Sequence, residues 1–307
     1  MIAGIITAGA ATRKQIMTPD EYCQDKAAKS GSSFYYSFLF LPPEQRQAIT
    51  ALYAFCREVD DVVDECSDPD LARTKLQWWR TEIAATFQAT PSHPVCLALQ
   101  TAIARFNLPL EHFLEIIDGM EMDLGEVRYP SFKELSLYCY RVASVVGLMA
   151  AEIFGYRDRA TLKYAHNLGL AFQLTNILRD VREDAKRGRL YIPLDEIAES
   201  GLTPEDVLRQ RNSDAMHALL NRQLQRAREY YDKALATLPD CDRYAQRSGL
   251  AMAAIYRATL DEIEKDGINV FERRVSLTPL RKLWLAWQTM RREKRRVRRR
   301  DNAQRSA

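Results

Sequence analysis

Two aspartates four residues apart, Asp60 and Asp64, lie in the acidic stretch CREVDDVVDE. Apolar residues around them recur with a helical period, so this segment is predicted to be a helix. On that helix Tyr53, Arg57, Asp60 and Asp64 fall at i, i+4, i+7 and i+11 and share one face, which we call the first acidic column. Asp61 lies at its flank. Carboxylates so close together repel one another unless water or a cation offsets their charge.

A second acidic column is predicted in the segment FQLTNILRDVREDAKRGRLYIP, which begins at Phe172. Its polar residues fall at i, i+3, i+7 and i+11 of a helix whose remaining positions are largely apolar. These residues are Gln173, Asn176, Asp180 and Asp184, with Arg179 and Arg182 beside them. Each column therefore contains one D-x-x-x-D pair, and carboxylates one helical turn apart can hold oxygen-loving cations.

The two columns together indicate a site for a magnesium-bound diphosphate. A single D-x-x-x-D pair is most often a solvated helix face, and this interpretation applies to either column taken alone. Two columns, each embedded in an apolar helix and each with arginine or amide neighbours, favour a shared ligand. Because Mg²⁺ binds one or two carboxylates together with substrate phosphates, this pattern suits a bridged diphosphate better than a closed metal cage.

Helices are predicted to position both columns, since helical periodicity dominates the sequence and β-branched alternation is scarce. Breaks rich in proline and glycine separate the helices, and no long linker divides the chain. We therefore expect one all-α domain at residues 18–280, a disordered leader at 1–17 and a basic amphipathic tail at 281–307. The predicted helices cover residues 18–30, 43–65, 70–88, 94–105, 109–124, 131–154, 158–185, 203–211, 213–237, 241–265 and 278–296.

Positive charge is concentrated near the C-terminus. The formal net charge is +3, yet residues 281–300 contain ten basic residues and one acidic residue, so the rest of the chain is acidic. Such a tail is either a solvated end or a segment attracted to an anionic surface. Leucines and tryptophans before the arginines favour a phospholipid surface, and the acidic body argues against a nucleic-acid partner. A helical scaffold or nucleic-acid-binding protein is the non-enzymatic alternative.

Composition argues against several classes of site. The six cysteines are scattered without a C-x-x-C pair, and the four histidines lack a metal-binding spacing. A zinc site, a disulfide framework and a Ser-His-Asp triad are therefore not expected.

The longest uncharged apolar run, at residues 142–151, is about half the ~20 residues that span a bilayer. The N-terminus lacks the basic start of a signal peptide. We expect a cytoplasmic protein, with peripheral association at the inner face of the membrane.

Three segments carry a resemblance to a known family. They are SSFYYSFLFLPPEQRQAITALYAFCREVDDVVDE, YCYRVASVVG and AFQLTNILRDVREDAKRGRLYIP. With them, the chain from about Cys23 to Arg273 resembles the squalene/phytoene synthases. The resemblance implies the isoprenoid synthase fold, an all-helical domain whose helices surround a central active-site cavity. Within the family, the sequence looks most like the bacterial presqualene diphosphate synthases of hopanoid biosynthesis.

This resemblance implies roles for individual residues. The implied metal ligands are Asp60, Asp64, Asn176, Asp180 and Asp184. The implied diphosphate contacts are Arg57, Asn176, Arg179, Arg189 and Arg273. Ser33, Phe34 and Tyr53 match positions beside the ionising diphosphate, and Tyr256 matches a cavity position near the second metal site. Tyr138 matches a tyrosine with a role in the chemistry, and we expect it to act there with Tyr53 and Arg57.

The implied reaction joins two farnesyl diphosphates head to head into presqualene diphosphate, with release of diphosphate. Two or three Mg²⁺ ions would bridge the substrate diphosphates, and NADPH is not required for this product. The alternatives are phytoene synthesis from two geranylgeranyl diphosphates and a full, NADPH-dependent squalene synthesis. A downstream squalene-forming enzyme is a candidate partner. The base that removes the proton is either Tyr138 or the released diphosphate.

Two further features admit two interpretations each. Asp118 and Asp123, in DGMEMDLGEVRY, suit a solvated or structural role as well as a catalytic one. The small residues between 143 and 151, together with Gly169, suit either close helix packing or the wall of a cavity for a prenyl chain.

Overall fold

The computed structural model describes residues 17–29, 37–125 and 127–305, and the regular structure of these residues is helical. This confirms the all-α prediction. Ser33 and Phe34 lie outside the described residues, as do residues 1–16 of the predicted leader. The described α-helices are α1 (Pro19–Lys29), α2 (Pro43–Glu65), α3 (Pro69–Phe87), α4 (Pro94–Phe106), α5 (Leu110–Glu121), α6 (Phe132–Cys139), α7 (Val145–Phe154), α8 (Ala160–Lys186), α9 (Leu194–Glu199), α10 (Pro204–Leu208), α11 (Asp214–Thr237), α12 (Arg247–Lys265) and α13 (Pro279–Arg305).

Local sequence explains most helix starts. Proline lies in the first turn of α2, α3 and α4, where the missing N–H group costs no hydrogen bond. Asp68 caps α3 by accepting the N–H groups of Asp70 and Leu71. Ser131 and Glu134 form a capping box at the start of α6. These signals are visible in the sequence, which is why most predicted boundaries fall close to the observed ones.

Four elements differ from the prediction, and one of them is α13, which continues to Arg305 although its predicted end is residue 296. The predicted helix at 131–154 is divided by a π-helical turn, Tyr140–Ser144. The predicted helix at 241–265 begins only at Arg247. The carboxylate of Asp242 instead accepts the N–H groups of Arg157 and Asp158 just before α8, at 2.8 and 3.0 Å. The short helix α9 was not predicted, because six residues are too few to show a periodic pattern.

The hydrophobic core consists of two clusters, and the two acidic columns belong to different ones. Helix α2 packs in the first cluster through residues such as Leu52, Phe55 and Val59, together with α3, α4 and α5. Helix α8 packs in the second cluster, mainly against α11. Helix α7 contacts both α2 and α8. The two columns are therefore anchored independently, which leaves room for a cavity between them.

Helix α8 closely approaches α7 at Gly147 and the π-helical turn before α7 at Gly169. A Cβ atom at Gly169 would lie 2.5 Å from the Cα atom of Ser144, and one at Gly147 would lie 2.7 Å from the carbonyl oxygen of Ala165. Gly147 and Gly169 also line the cavity described below. Close helix packing, one of the two roles that the sequence allowed, is therefore confirmed, and a role in holding a prenyl chain stays a prediction.

The basic C-terminal segment is a continuous helix, α13, whose first half packs against α12. Ala286 and Met290 are buried in this contact. Glu293 is only 2% exposed and accepts hydrogen bonds from the guanidinium of Arg243 at 3.1 and 3.3 Å. The helix crosses the predicted boundary at residue 280 without a break, so part of the predicted tail is attached to the folded body.

One described segment, Phe132–Phe154, is long and apolar enough to span a membrane by length and composition alone, which the sequence analysis did not anticipate. It consists of α6, the π-helical turn and α7. Buried core helices of soluble proteins pass the same test, and here Val145, Met149 and Ile153 are fully buried against the rest of the protein.

Replacing Gly169 by alanine is expected to lower the free energy of unfolding by about 1–3 kcal/mol. Alanine is ordinarily the better helix former, but here its methyl group would press on the backbone of Ala143 and Ser144. Urea denaturation measures the change. Ala236→Gly, at an exposed position of α11, gives the helix-propensity reference and is expected to cost roughly 0.5–1 kcal/mol. A gain in stability for Gly169→Ala would contradict the close approach of α8 to the π-helical turn.

Candidate active site

A cavity of about 680 Å³ lies between α2 and α8. Along both helices the lining changes from apolar to acidic towards the C-terminus, from Leu52 to Asp64 on α2 and from Leu168 to Asp184 on α8. The two C-terminal ends meet, because Asp64 is hydrogen-bonded to Arg189 just beyond α8. The cavity therefore has one acidic end and an apolar body. Side chains that line the body include Phe38, Val146, Phe154, Phe172, Met252 and Leu277.

Arg57 holds the first acidic column. Its guanidinium donates to Asp60 at 2.5 Å and to Asp61 at 2.7 Å. Asp60 lines the cavity, whereas Asp61 pairs with Lys26 of α1 at 2.9 Å and is not among the lining residues. Tyr53 lines the cavity one helical turn before Arg57. The column therefore presents a tyrosine, an arginine and two aspartates to the cavity.

Two arginines hold the centre of the second acidic column. Asp180 pairs with Arg179 at 2.5 Å and with Arg274 at 2.6 Å. One turn earlier, the Oδ1 atom of Asn176 is buried and has no hydrogen-bond partner among the described residues. One turn later, Asp184 forms no ion pair with any residue that the structure describes. An acceptor and a carboxylate of this column are thus available to a ligand.

Two arginines beyond the end of α8 join the columns. Arg187 and Arg189 both donate to the Oδ1 atom of Asp64, each at 2.8 Å. Arg187 is about half exposed, whereas Arg189 is only 15% exposed. These contacts fix the end of α2 against the end of α8, so the two columns face each other across the acidic end of the cavity.

Burial and mutual repulsion make two of the four carboxyls weak acids. Burial raises the pKa of Asp60 to about 6, and repulsion from Asp64 acts in the same direction. Burial and repulsion from Asp180 raise the pKa of Asp184 to about 7. Burial also acts on Asp64 and Asp180, but hydrogen bonds from arginines outweigh it and hold both pKa values below the usual range. A cation between the columns would return Asp60 and Asp184 to the ionised form.

The donor atoms suit Mg²⁺ bound together with a diphosphate. They are the oxygens of four carboxylates and the unpartnered oxygen of Asn176, the hard ligands that Mg²⁺ prefers. In the described ranges, no three histidine, cysteine or acidic side chains converge closely enough to enclose a metal by themselves. Around the aspartates stand guanidinium groups with the fork geometry that binds phosphate oxygens. They belong to Arg57, Arg179, Arg187, Arg189 and Arg274.

A buried carboxylate, Asp123, also lines the cavity and interacts electrostatically with Asp60 and Asp184. Its two oxygens accept hydrogen bonds from the hydroxyl groups of Tyr138, at 2.8 Å, and Tyr191, at 2.7 Å. The two tyrosine rings stack with their centroids 5.2 Å apart. Burial raises the pKa of Asp123 to about 6. Asp118, by contrast, pairs with Arg80 at 2.6 Å and does not line the cavity.

Sequence reasoning left Asp123 unassigned and missed Tyr191 and Arg274. None of the three lies on a helix, so helical spacing gave no information about them. A usable signal existed for Tyr191, which follows Arg189 by two residues in a segment bridged to Arg128. Alternate residues of an extended chain point to the same side, and both line the cavity.

The prediction for Arg273 is wrong in placement. Its guanidinium is 69% exposed and pairs with Asp266, outside the cavity. The next residue, Arg274, lines the cavity and binds Asp180 instead. The segment between α12 and α13 is irregular, so no helical or strand period fixed which arginine faces the columns.

The other predicted site residues in the described part of the chain line this one cavity. They are Tyr53, Arg57, Asp60, Asp64, Tyr138, Asn176, Arg179, Asp180, Asp184, Arg189 and Tyr256. The ring of Tyr256 packs on Phe172, with centroids 4.8 Å apart, and its hydroxyl hydrogen-bonds with Arg179. The roles assigned to these residues as ligands and catalysts stay predictions.

Asp184→Asn is expected to stabilise the metal-free protein at pH 8 by about 1–2 kcal/mol, since it removes a buried charge repelled by Asp180. A pKa raised by folding means that wild-type stability falls as pH rises through about 7. The advantage of the variant should therefore shrink at pH 5, where folded Asp184 is protonated. Urea denaturation with a chelator at both pH values measures this.

Asp64→Asn is the matched control of opposite sign. In the wild type, Arg187 and Arg189 hold the pKa of Asp64 below its usual range. The substitution removes this carboxylate and leaves both arginines without their partner. The variant should lose stability at pH 8. Equal losses in Asp64→Asn and Asp184→Asn would contradict the electrostatics described here.

Comparison with known proteins connects these features to a family. A family model described as squalene/phytoene synthase matches residues 27–281. The chain is 37% identical over 267 residues to phytoene synthase 2, chloroplastic, of Solanum lycopersicum. The aligned residues cover 85% of this chain and 86% of that protein. The chain is 36% identical over 267 residues to phytoene synthase, chloroplastic, of Narcissus pseudonarcissus, covering 85% and 63%.

Solved structures share the fold. A dehydrosqualene synthase in complex with a ligand superposes with a TM-score of 0.81 at 28% identity, covering 90% of this chain and 96% of that one. The squalene synthase HpnC from Alicyclobacillus acidocaldarius gives a TM-score of 0.73 at 28% identity, covering 81% and 94%. Because the matched region contains both acidic columns and the cavity between them, this chain belongs to the squalene/phytoene synthase family of head-to-head prenyl transferases.

Proposed function

We propose that the protein joins two molecules of farnesyl diphosphate head to head into presqualene diphosphate, in a Mg²⁺-dependent reaction that releases diphosphate. The observation that carries this proposal is the pair of aspartate columns that meet at one end of an apolar cavity. The acidic end suits the diphosphates and their counter-ions, and the apolar body suits the prenyl chains.

The chain's own arginines would bind the departing diphosphate. Arg57, Arg179, Arg189 and Arg274 are already oriented by ion pairs with the aspartates, so they require little rearrangement to donate to phosphate oxygens. Mg²⁺, when bound by the aspartates, supplies the Lewis acid that neutralises charge on the leaving group. Both effects favour cleavage of the carbon–oxygen bond.

The allylic cation that results must meet the second substrate before it meets water. The apolar body of the cavity excludes water, and aromatic faces attract a cation. Rings suited to this purpose belong to Phe38, Tyr53, Phe172 and Tyr256.

The choice of a fifteen-carbon substrate rests on the likeness of the sequence to the bacterial presqualene diphosphate synthases. Phytoene synthesis from two geranylgeranyl diphosphates is the second candidate, supported by relatives that are themselves named phytoene synthases.

We further propose that the reaction ends at the cyclopropyl product without NADPH, and that a downstream squalene-forming enzyme consumes this product. The proposal rests on the likeness of the sequence to the bacterial presqualene diphosphate synthases. It distinguishes the protein from a full squalene synthase, in which a hydride donor is obligatory.

Incubation with farnesyl diphosphate and Mg²⁺ is expected to give presqualene diphosphate both with and without NADPH. Squalene formed only with NADPH would indicate a full squalene synthase, and coupling of twenty-carbon diphosphates alone would indicate phytoene synthesis. Asp60→Asn and Asp180→Asn are each expected to lower turnover at saturating Mg²⁺ by roughly 100-fold or more. Near-wild-type turnover in either variant would overturn the role of the two columns.

We propose that α13 attaches the protein to the inner face of the membrane. Large apolar side chains at i, i+3, i+4 and i+7 share one exposed face of this helix, and basic residues continue the same face. Trp284 and Trp287 are 55% and 39% exposed and stack at 5.1 Å, and the guanidinium of Arg291 lies over Trp287. The apolar face consists of Leu280, Leu283, Trp284 and Trp287, and its basic continuation of Arg291, Lys294 and Arg298.

Removing both indoles with Trp284→Ala and Trp287→Ala is expected to weaken binding to vesicles of equal phosphatidylcholine and phosphatidylglycerol by roughly tenfold or more. Sedimentation with the vesicles measures the bound fraction. Trp78→Ala is the matched control, because Trp78 is 46% exposed on α3 and should not affect binding. Unchanged binding in the double variant, or an equal loss in the control, would contradict the assignment of this face.

A further inference from the structure

We infer that Asp123 receives, by way of Tyr138, the proton that leaves the coupled intermediate. This inference rests on the proposed function and assigns a role to a residue that neither column contains. Asp123 acts through Tyr138, so it is a positioning and proton-accepting residue, while Tyr138 is the group that touches the substrate.

The hydrogen bonds around Asp123 set the direction of proton movement. The hydroxyl of Tyr138 donates to Oδ2 of Asp123 at 2.8 Å, and that of Tyr191 donates to Oδ1 at 2.7 Å. A hydroxyl that donates its proton keeps its lone pairs for acceptance. All three residues line the cavity and are almost fully buried. The hydroxyl oxygen of Tyr138 also lies 3.5 Å from that of Tyr191, and its remaining acceptor capacity is available to a substrate in the cavity.

Tyr138 alone is a poor base. Burial raises its pKa well above 10, so its phenolate form is scarce near neutral pH. Asp123 accepts hydrogen bonds through both of its carboxylate oxygens, so it is placed to take the hydroxyl proton of Tyr138 as Tyr138 accepts a proton from the substrate. Transfer through the neutral phenol couples the two groups. Tyr138 gains one proton from the substrate and gives its own to Asp123.

The step balances in atoms and electrons. The first cation adds to the double bond of the second substrate, which forms one carbon–carbon bond and moves the positive charge to the far carbon of that double bond. A carbon–hydrogen bond then breaks at the carbon that carried the departed diphosphate. Its electron pair closes the cyclopropane ring, and its proton passes to Tyr138 as the hydroxyl proton of Tyr138 passes to Asp123. Asp123 ends as a neutral carboxylic acid.

Asp123→Asn tests the inference through the ratio of cyclopropyl product to released diphosphate. An amide cannot accept the relayed proton, so this ratio is expected to fall by roughly 100-fold while ionisation continues and yields prenyl alcohols. Asp118→Asn is the matched control from the same segment and should leave the ratio unchanged, since Asp118 pairs with Arg80 away from the cavity. An unchanged ratio in Asp123→Asn, with product and diphosphate falling together, would show a structural role and overturn the inference.

Tyr138→Phe keeps the inference testable if Asp123→Asn does not fold, because phenylalanine preserves the ring stacking. It should lower the ratio to a similar extent, and a wild-type ratio would indicate that the released diphosphate is the base. Tyr191→Phe should have a small effect, since the bond from Tyr138 to Asp123 remains. If the wild type couples only twenty-carbon substrates, the same ratio is measured with those, so failure of the proposed substrate and failure of the relay are distinguished.

Discussion

Buried carboxylates create a concentration of negative charge that the surrounding arginines and the packing of the helices must accommodate. Four column aspartates and Asp123 lie around one end of a cavity. They lie where α2 and α8 both end, so the negative ends of two helix dipoles add to the same potential. Arginines offset part of this charge, and burial, with a smaller effect of repulsion between carboxylates, raises the pKa values of Asp60, Asp123 and Asp184. The folded protein without ligand is thus electrostatically incomplete.

Such a site needs a scaffold that resists relaxation. If α2 and α8 could move apart, their carboxylates would separate and the acidic end of the cavity would be lost. The two helices are anchored in separate hydrophobic clusters, and α7 is packed between them. Close contact at Gly147 and Gly169 fixes α7 and the π-helical turn against α8. The carboxylates at the acidic end therefore lower the stability of the fold, and packing in the two hydrophobic clusters offsets this loss.

Sequence was most informative where a regular period fixed geometry. Once α2 and α8 were predicted, helical spacing determined which side chains share a face, and Asp60, Asp64, Asp180 and Asp184 all line the cavity. The same reasoning failed in irregular segments, where no period exists. Asp123 follows the end of α5, Tyr191 lies in a short extended segment, and the choice between Arg273 and Arg274 depends on one residue of register in a connecting loop. The π-helical turn has no signature in a helical pattern, since its neighbours carry the same periodicity.

The connection that carries Arg274 also determines how distant parts of the protein influence one another. Arg274 to Leu277 line the cavity, and α13 begins two residues later at Pro279. The segment is thus held at one end by Asp180 and at the other by a helix packed on α12. A contact that shifts α13 therefore acts on the same short segment that carries one of the two guanidinium groups paired with Asp180. The segment from Arg274 to Leu277 thus connects the exposed face of α13 with the acidic end of the cavity.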